Sequence, residues 1–105
     1  MALTKAFKST VRERAQHDAD FRQALLIEAV NALLTDDIEL AKSLLRDYIN
    51  ATISFEPLAK TMDKNSKSLQ RMFSASGNPT AKSLFSVINI LQKEEGIKLT
   101  VNAAH

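Results

Sequence analysis

The residues best suited to chemistry lie between positions 60 and 82, and the chemistry that they suit is hydrogen bonding to nucleic acid. Glutamine can pair with adenine through two hydrogen bonds, arginine can do the same with guanine, and serine can reach a base or a phosphate. Side chains of these kinds follow one another in one short segment, spaced around apolar residues that would face inward. We expect base contacts from Ser66, Lys67, Ser68, Gln70 and Arg71.

The same part of the chain concentrates positive charge. Residues 60–82 contain five Lys or Arg residues and one acid, Asp63, although the net charge of the whole chain is only +2. Such clustering creates a local positive field that suits phosphate, but a solvated surface carries the same pattern, so charge alone leaves both interpretations open. We expect phosphate contacts from Lys60, Lys64, Asn65, Asn78, Thr80 and Lys82.

Catalysis has little support in the sequence. There is no cysteine, and the two histidines are His17, at a predicted helix junction, and His105, the last residue, so neither has the flanking partners that a general base needs. The densest acidic group consists of Asp36, Asp37 and Glu39. It is explained by its place at the start of a predicted helix, where acidic side chains are favoured by the helix dipole. We therefore expect no enzyme activity, no cofactor, no metal and no small-molecule substrate.

The composition is that of one small domain. The chain has 105 residues, of which 45% are hydrophobic and 25% charged, enough for a single modest core. It contains no run of about 18 apolar residues that could span a membrane, and residues 1–8 lack the apolar segment of a secretory signal. Together with the absence of cysteine, these features predict a cytoplasmic protein without membrane contact.

Apolar residues spaced three and four apart predict the helices that must position the polar segment. A first helix would carry Leu3, Phe7, Val11 and Ala15 on one face. A second would run from an N-cap at Asp18 to about residue 34. Its apolar stripe is wide, and the residues that form it are Phe21, Leu25, Leu26, Ala29, Val30, Leu33 and Leu34.

The third predicted helix begins with an acidic cap. Asp36 followed by Glu39 resembles a capping box, and the helix would end near Asn50. The residues expected to face inward are Leu40, Ala41, Leu44, Leu45, Tyr48 and Ile49.

Two short helices follow, joined by a three-residue turn over residues 63–65. Ser54 would cap the first, with Pro57 tolerated in its first turn. The two apolar faces comprise Leu58, Ala59 and Met62, then Leu69, Met72 and Phe73. Residues 76–79 would stop the second helix, with Gly77 in the left-handed conformation. Thr80 would cap a last helix, whose buried residues are Leu84, Val87, Ile88 and Leu91.

After Gly96 the apolar period changes to two. Ile97, Leu99 and Val101 alternate with polar residues, a pattern typical of a half-buried strand. A lone strand in a helical chain must pair with another chain, hide its edge, or not form. We therefore expect a homodimer in which residues 97–101 pair across a two-fold axis, with the wide apolar face of residues 21–34 as the rival interface.

The segment LAKTM (58–62) followed by NSKSLQRMF (65–73) resembles the helix-turn-helix of lambda repressor/Cro-like regulators. Residues 76–80 (SGNPT), the helix after them and residues 96–101 resemble one branch, the HigA-like probable addiction-module antidotes, which are antitoxins of bacterial toxin–antitoxin pairs. The resemblance covers residues 37–101. Asp63 and Lys64 depart from it, because the family usually has glycine and then an apolar residue there.

The resemblance implies an all-α fold, a lambda-repressor-like helix-turn-helix bundle in residues 35–101 with one short C-terminal β-strand. Residues 1–34 would form a helical extension packed on the core, and residues 102–105 a tail. The resemblance also implies a dimeric repressor of transcription whose partners are double-stranded DNA and a cognate toxin protein. The alternative is a protein-binding module that neutralises a partner and keeps the helix-turn-helix only as a scaffold.

Overall fold

The computed structural model describes residues 5–105, with side chains from residue 10 onward. The prediction of an all-α chain is confirmed for these residues, since they contain six helices and no strand. The helices are α1 (Lys5–His17), α2 (Ala19–Leu34), α3 (Ile38–Ala51), α4 (Phe55–Thr61), α5 (Ser66–Met72) and α6 (Ala81–Glu95). None of the described helices is long and apolar enough to cross a membrane.

Side-chain caps begin three of the longer helices. The carboxylate of Asp18 accepts the backbone N–H of Phe21 at 3.1 Å, and the Thr80 hydroxyl accepts that of Ser83 at 3.1 Å. Both predicted caps are therefore confirmed. The cap predicted at Asp36 is wrong, because Asp37 accepts the N–H of Leu40 at 3.2 Å. Asp36 has a φ of 62° and lies in the left-handed turn before the helix, so its side chain does not cap it.

At the start of α4 the expected cap is only partly realised. Ser54 does occupy the N-cap position, but its φ is 75° and its side chain makes no capping hydrogen bond. Pro57 lies in the first turn of α4, where its missing N–H has no partner to lose.

One buried cluster contains residues from five helices and the residue that follows α5. Its members are Leu26, Ala29, Leu45, Tyr48, Ile49, Phe55, Leu58, Ala59, Leu69, Phe73, Leu84, Val87, Ile88 and Leu91. All four buried residues predicted for the last helix are in it. Two inward predictions are wrong, at Leu34, which is 64% exposed, and at Leu40, which is also exposed. Leu34 is the last residue of α2, and Leu40 lies in the first turn of α3.

The stripe predicted on α1 is only partly within the described side chains. Leu3 lies outside the described residues, and the side chain of Phe7 is also outside them. Ala15 is fully buried and Val11 is half-buried. The described end of the stripe therefore faces the protein.

The left-handed conformation that we predicted for Gly77 is wrong for that residue. Gly77 does not take a positive φ, whereas Gly96, at the end of α6, has a φ of 73°. Gly77 serves a close approach instead, since a Cβ added there would lie 2.0 Å from the backbone oxygen of Arg71 and 2.5 Å from that of Met72. Any side chain at this position would push the following loop away from α5.

The predicted strand does not form in the single chain. Residues 97–105 have no regular secondary structure, and the backbone N–H of Leu99 donates to the Gln92 side chain at 2.7 Å. Ile97 and Leu99 pack against the core, while Val101 is 76% exposed. A strand needs a ladder partner for its backbone groups, and residues 5–105 contain no other strand.

A charged cluster joins α2, α3 and the end of α6. Arg22 Nε donates to Glu95 Oε1 at 2.7 Å, and the Tyr48 hydroxyl donates to the same oxygen. Burial raises the pKa of Glu95, but the hydrogen bonds from Arg22 and Tyr48 outweigh it and leave that pKa below its ordinary value. Burial, followed by the Glu95 hydrogen bond, raises the pKa of Tyr48. The cluster thereby fixes α6 at the point where the C-terminal segment begins.

Candidate nucleic-acid interface

Helices α4 and α5 are joined by a tight turn over residues 62–65. The backbone N–H of Asp63 donates to Lys60 O at 3.1 Å, and that of Lys64 donates to Ala59 O at 2.8 Å. Asp63 has a φ of 54°, in the left-handed region that aspartate tolerates better than most residues. Ala59 and Leu69 are buried on either side of the turn. The turn is one residue longer than predicted, because Met62 already lies outside α4.

Helix α5 has one buried and one open face. Asn65 Oδ1 accepts the N–H of Ser68 at 3.1 Å and so begins the helix. Leu69 and the adjacent Phe73 are fully buried, and the ring of Phe73 lies 6.1 Å from that of Phe55. This anchoring leaves four predicted base-contacting residues exposed and a fifth half-buried, namely Lys67, Ser68, Gln70 and Arg71, with Ser66 as the fifth.

The polar groups on the open face of α5 are largely uncommitted. Gln70 Nε2 donates to Ser66 Oγ at 3.2 Å, an exposed contact that a ligand can replace. The side chains of Lys67 and Arg71 form no hydrogen bond or ion pair within the described part of the chain. Their charges are therefore available to a ligand.

A surface depression of about 450 Å³ lies beside α5, at the start of α6. Four of the six predicted phosphate-contacting residues line it, namely Lys64, Asn78, Thr80 and Lys82. The fold thus brings together side chains from the α4–α5 turn and from the segment before α6. The N-terminal end of a helix carries partial positive charge, so the start of α6 adds to that of the two lysines.

The other two predicted phosphate-contacting residues lie outside this depression. Lys60 is exposed on α4. Asn65 uses its carbonyl oxygen to cap α5, which leaves only its amide nitrogen to donate to a ligand.

Our sequence analysis did not anticipate that Lys42 and Arg46 hold the loop that follows α5. Lys42 is 2% exposed, and its ammonium donates to Gly77 O at 2.7 Å. Arg46 Nη1 donates to Phe73 O at 2.8 Å. The signal for Lys42 was in the sequence, because Lys42, Leu45 and Ile49 follow the spacing of one buried helix face.

An apolar groove of about 80 Å³ lies on a different surface, between α2 and the C-terminal segment. Its apolar lining comes from Ile27, Val30, Leu34, Leu99 and Val101. The two surfaces that we predicted as rival dimer interfaces are therefore parts of one surface.

The described residues include no group of His, Cys, Asp and Glu that could hold a metal ion. Comparison of the chain with protein-family models, curated proteins and solved structures found no match. Its function must therefore be inferred from its own residues and their geometry.

Proposed function

We propose that this chain is a sequence-specific DNA-binding protein that regulates transcription, with α4, residues 62–65 and α5 acting as a helix-turn-helix. The observation that carries this proposal is the open face of α5, where the side chains of Lys67 and Arg71 have no partner within the described residues and Gln70 is exposed. An α-helix with its side chains is about 10–12 Å across, which fits the major groove, about 12 Å wide. Leu69 and Phe73 hold the opposite face against the core.

The depression beside α5 supports the same proposal. Contacts to bases provide specificity, while contacts to phosphates set the position of the protein on the duplex. Lys64 and Lys82 would supply charge there, and the Asn78 amide, the Thr80 backbone N–H and the first turn of α6 would supply hydrogen-bond donors. Lys60 on α4 would add a further phosphate contact.

We further propose that two copies bind DNA together. A single helix-turn-helix reaches only a few base pairs, and dimers bind half-sites about 34 Å apart on one face of the duplex. The exposed side chains of Leu34 and Val101 beside the apolar groove favour a second copy as the occupant. Residues 97–101 of the two copies would then supply each other with the ladder partner that the single chain lacks.

Truncation after Gly96 tests this dimer by sedimentation. A monomer would support pairing through residues 97–101. An intact dimer would move the interface to α2 alone and contradict strand pairing.

A protein that occupies its DNA site blocks access to that site, so repression is the outcome that we propose. The resemblance of residues 37–101 to HigA-like antitoxins extends the proposal to autoregulation of a toxin operon and to a cognate toxin as the second partner. Such a bacterial regulator would work in the cytoplasm, where the DNA is.

A protein-binding module that neutralises a partner is the second candidate. Phe85 favours it, because this aromatic side chain is 66% exposed on α6 and belongs to neither the depression nor the apolar groove. In this case α4 and α5 would serve only as a scaffold.

Selection from a pool of randomised duplexes separates the two candidates. The DNA-binding proposal expects an enriched motif whose two halves are related by inversion. The control is the double variant Gln70→Ala, Arg71→Ala, which keeps the buried face of α5. Equal enrichment by the variant and the wild type, or none by either, would contradict base reading by α5.

A further inference from the structure

The loop that follows α5, residues 73–77, is held by two cations from α3. Lys42 donates to the backbone oxygens of Ser74 at 3.0 Å, Ala75 at 3.4 Å and Gly77 at 2.7 Å. Arg46 donates to the oxygen of Phe73 at 2.8 Å. Four carbonyls that are not paired by helix hydrogen bonds are thus bound by two side chains of one neighbouring helix.

Lys42 is committed to this loop. Its side chain is almost fully buried, and within the described residues it forms one ion pair, with Glu39 at 2.9 Å, whose side chain is 70% exposed. A solvent-exposed carboxylate is screened and holds a buried cation weakly. The three carbonyls therefore provide the main compensation for burying the ammonium group.

The loop is also confined from the side of α5. Gly77 approaches the last turn of α5 so closely that there is no room for a Cβ beside Arg71 O. Because Lys42 holds the loop against α3 and Gly77 brings it against α5, its position relative to both helices is set. The next residues along the chain are Asn78 and Thr80, which line the depression with Lys82.

We propose that Lys42 and Arg46 are positioning residues for DNA recognition. They set the distance between the open face of α5 and the phosphate-binding depression at the start of α6. This inference rests on the proposed function, because it assigns the two surfaces to bases and phosphates of one duplex. Binding at both surfaces at once requires a fixed spacing between them, and pre-organisation avoids ordering the loop during binding.

Lys42→Met tests the proposal, since methionine fills similar space but offers no donor. We expect about tenfold weaker binding to the selected duplex, with the same preferred motif, because α5 keeps its own side chains. We also expect the slope of log affinity against log salt to become shallower by about 0.9, as Lys82 loses its phosphate. Binding is measured at a temperature where circular dichroism shows that both proteins are fully folded.

The salt slope separates positioning from a merely structural role. A structural lysine would lower the melting temperature and leave the affinity and slope of the folded protein at wild-type values, which would overturn the proposal. Lys93→Met is the matched control, since Lys93 is exposed, lies at the far end of α6 and forms no side-chain bond within the described residues. Lys42→Arg, which restores donors, should recover most of the affinity.

Gly77→Ala displaces the loop from its other side and leaves Lys42 in place. Like Lys42→Met, it should weaken binding to the selected duplex and make the slope of log affinity against log salt shallower. If Lys42→Met does not fold, Gly77→Ala alone tests the positioning role. Wild-type affinity and slope in folded Gly77→Ala would overturn the proposal. If Arg71→Ala loses binding but folded Lys42→Met does not, only this inference fails. If the wild type binds no duplex, the proposed function fails and this inference fails with it.

Discussion

The cations of this molecule fall into two groups with opposite surroundings. The structural cations, Arg22, Lys42 and Arg46, are buried or half-buried and are bound by acceptors of the chain itself. The surface cations, Lys64, Lys67, Arg71 and Lys82, are exposed, and their side chains have no partner within the described residues. Net charge does not distinguish the two groups. What distinguishes them is whether acceptors of the chain surround the cation. A cation with such acceptors stabilises the fold, and a cation without them is available to a ligand.

Breaking the Arg22–Glu95 pair should give the largest effect. Arg22→Met leaves the buried Glu95 carboxylate without its cation, and we expect a loss of about 3 kcal/mol in the free energy of unfolding. Denaturant unfolding measures this change. Arg12→Met is the matched control, because Arg12 is exposed and forms no side-chain bond within the described residues, and it should change stability by less than about 0.5 kcal/mol. An equal loss of stability in the two variants would show that the acceptors around Arg22 do not distinguish it from a surface cation.

Removing a surface cation should leave stability unchanged and weaken binding. Arg71→Ala should cost about 1–3 kcal/mol in affinity for the selected duplex and relax the preference at one base pair. Fluorescence anisotropy on duplexes that differ at single positions measures both quantities. Arg12→Ala serves as the control. An unchanged preference at every position would show that Arg71 reads no base.

The Arg22–Glu95 pair also predicts a dependence of stability on pH. The pKa of Glu95 in the folded protein lies below its ordinary value of 4.5, so its ionised form stabilises the fold above that pH. This contribution is lost as the pH falls below about 4.5 towards the folded pKa. The hydrogen bond from the Phe21 N–H likewise lowers the pKa of Asp18 below its ordinary value of 3.8, so the stabilisation by ionised Asp18 is lost at a lower pH than that value. Glu95→Gln isolates one of them.

Thermal unfolding between pH 7 and pH 3 makes this test. Glu95→Gln should be less stable than the wild type at pH 7, and the difference should shrink on acidification. A constant difference across this range would contradict a role for the ionised carboxylate.

The smallest effect is expected for a single surface lysine. Lys82→Met should reduce the slope of log affinity against log salt by about 0.9 and leave the preferred motif unchanged. A titration at several salt concentrations measures the slope, with Lys93→Met as the control. Parallel slopes for the wild type and Lys82→Met would place Lys82 away from phosphate.

Local signals in the sequence were sufficient to predict much of the helical framework. Asp18 and Thr80 cap the helices that their positions predicted, because a capping side chain bonds to backbone only three residues away. Helical spacing likewise predicted the buried Leu69 of α5 and the exposed polar residues around it. These features depend on contacts between near neighbours in the chain, and spacing encodes such contacts.

Contacts between distant residues were decided only by the tertiary structure. Lys42 meets Gly77, 35 residues away, and Arg22 meets Glu95, 73 residues away, and no local pattern pairs such residues. Gly77 was expected in a left-handed turn, yet its lack of a Cβ serves the approach of a loop to α5. Residues 97–101 alternate like a strand, but a strand also requires a partner.

The sequence by itself determined where helices begin and which faces are apolar, because these depend on short-range bonds and periodicity. Packing decided which acceptors each charge meets, because residues that are distant in the sequence meet only in the folded chain.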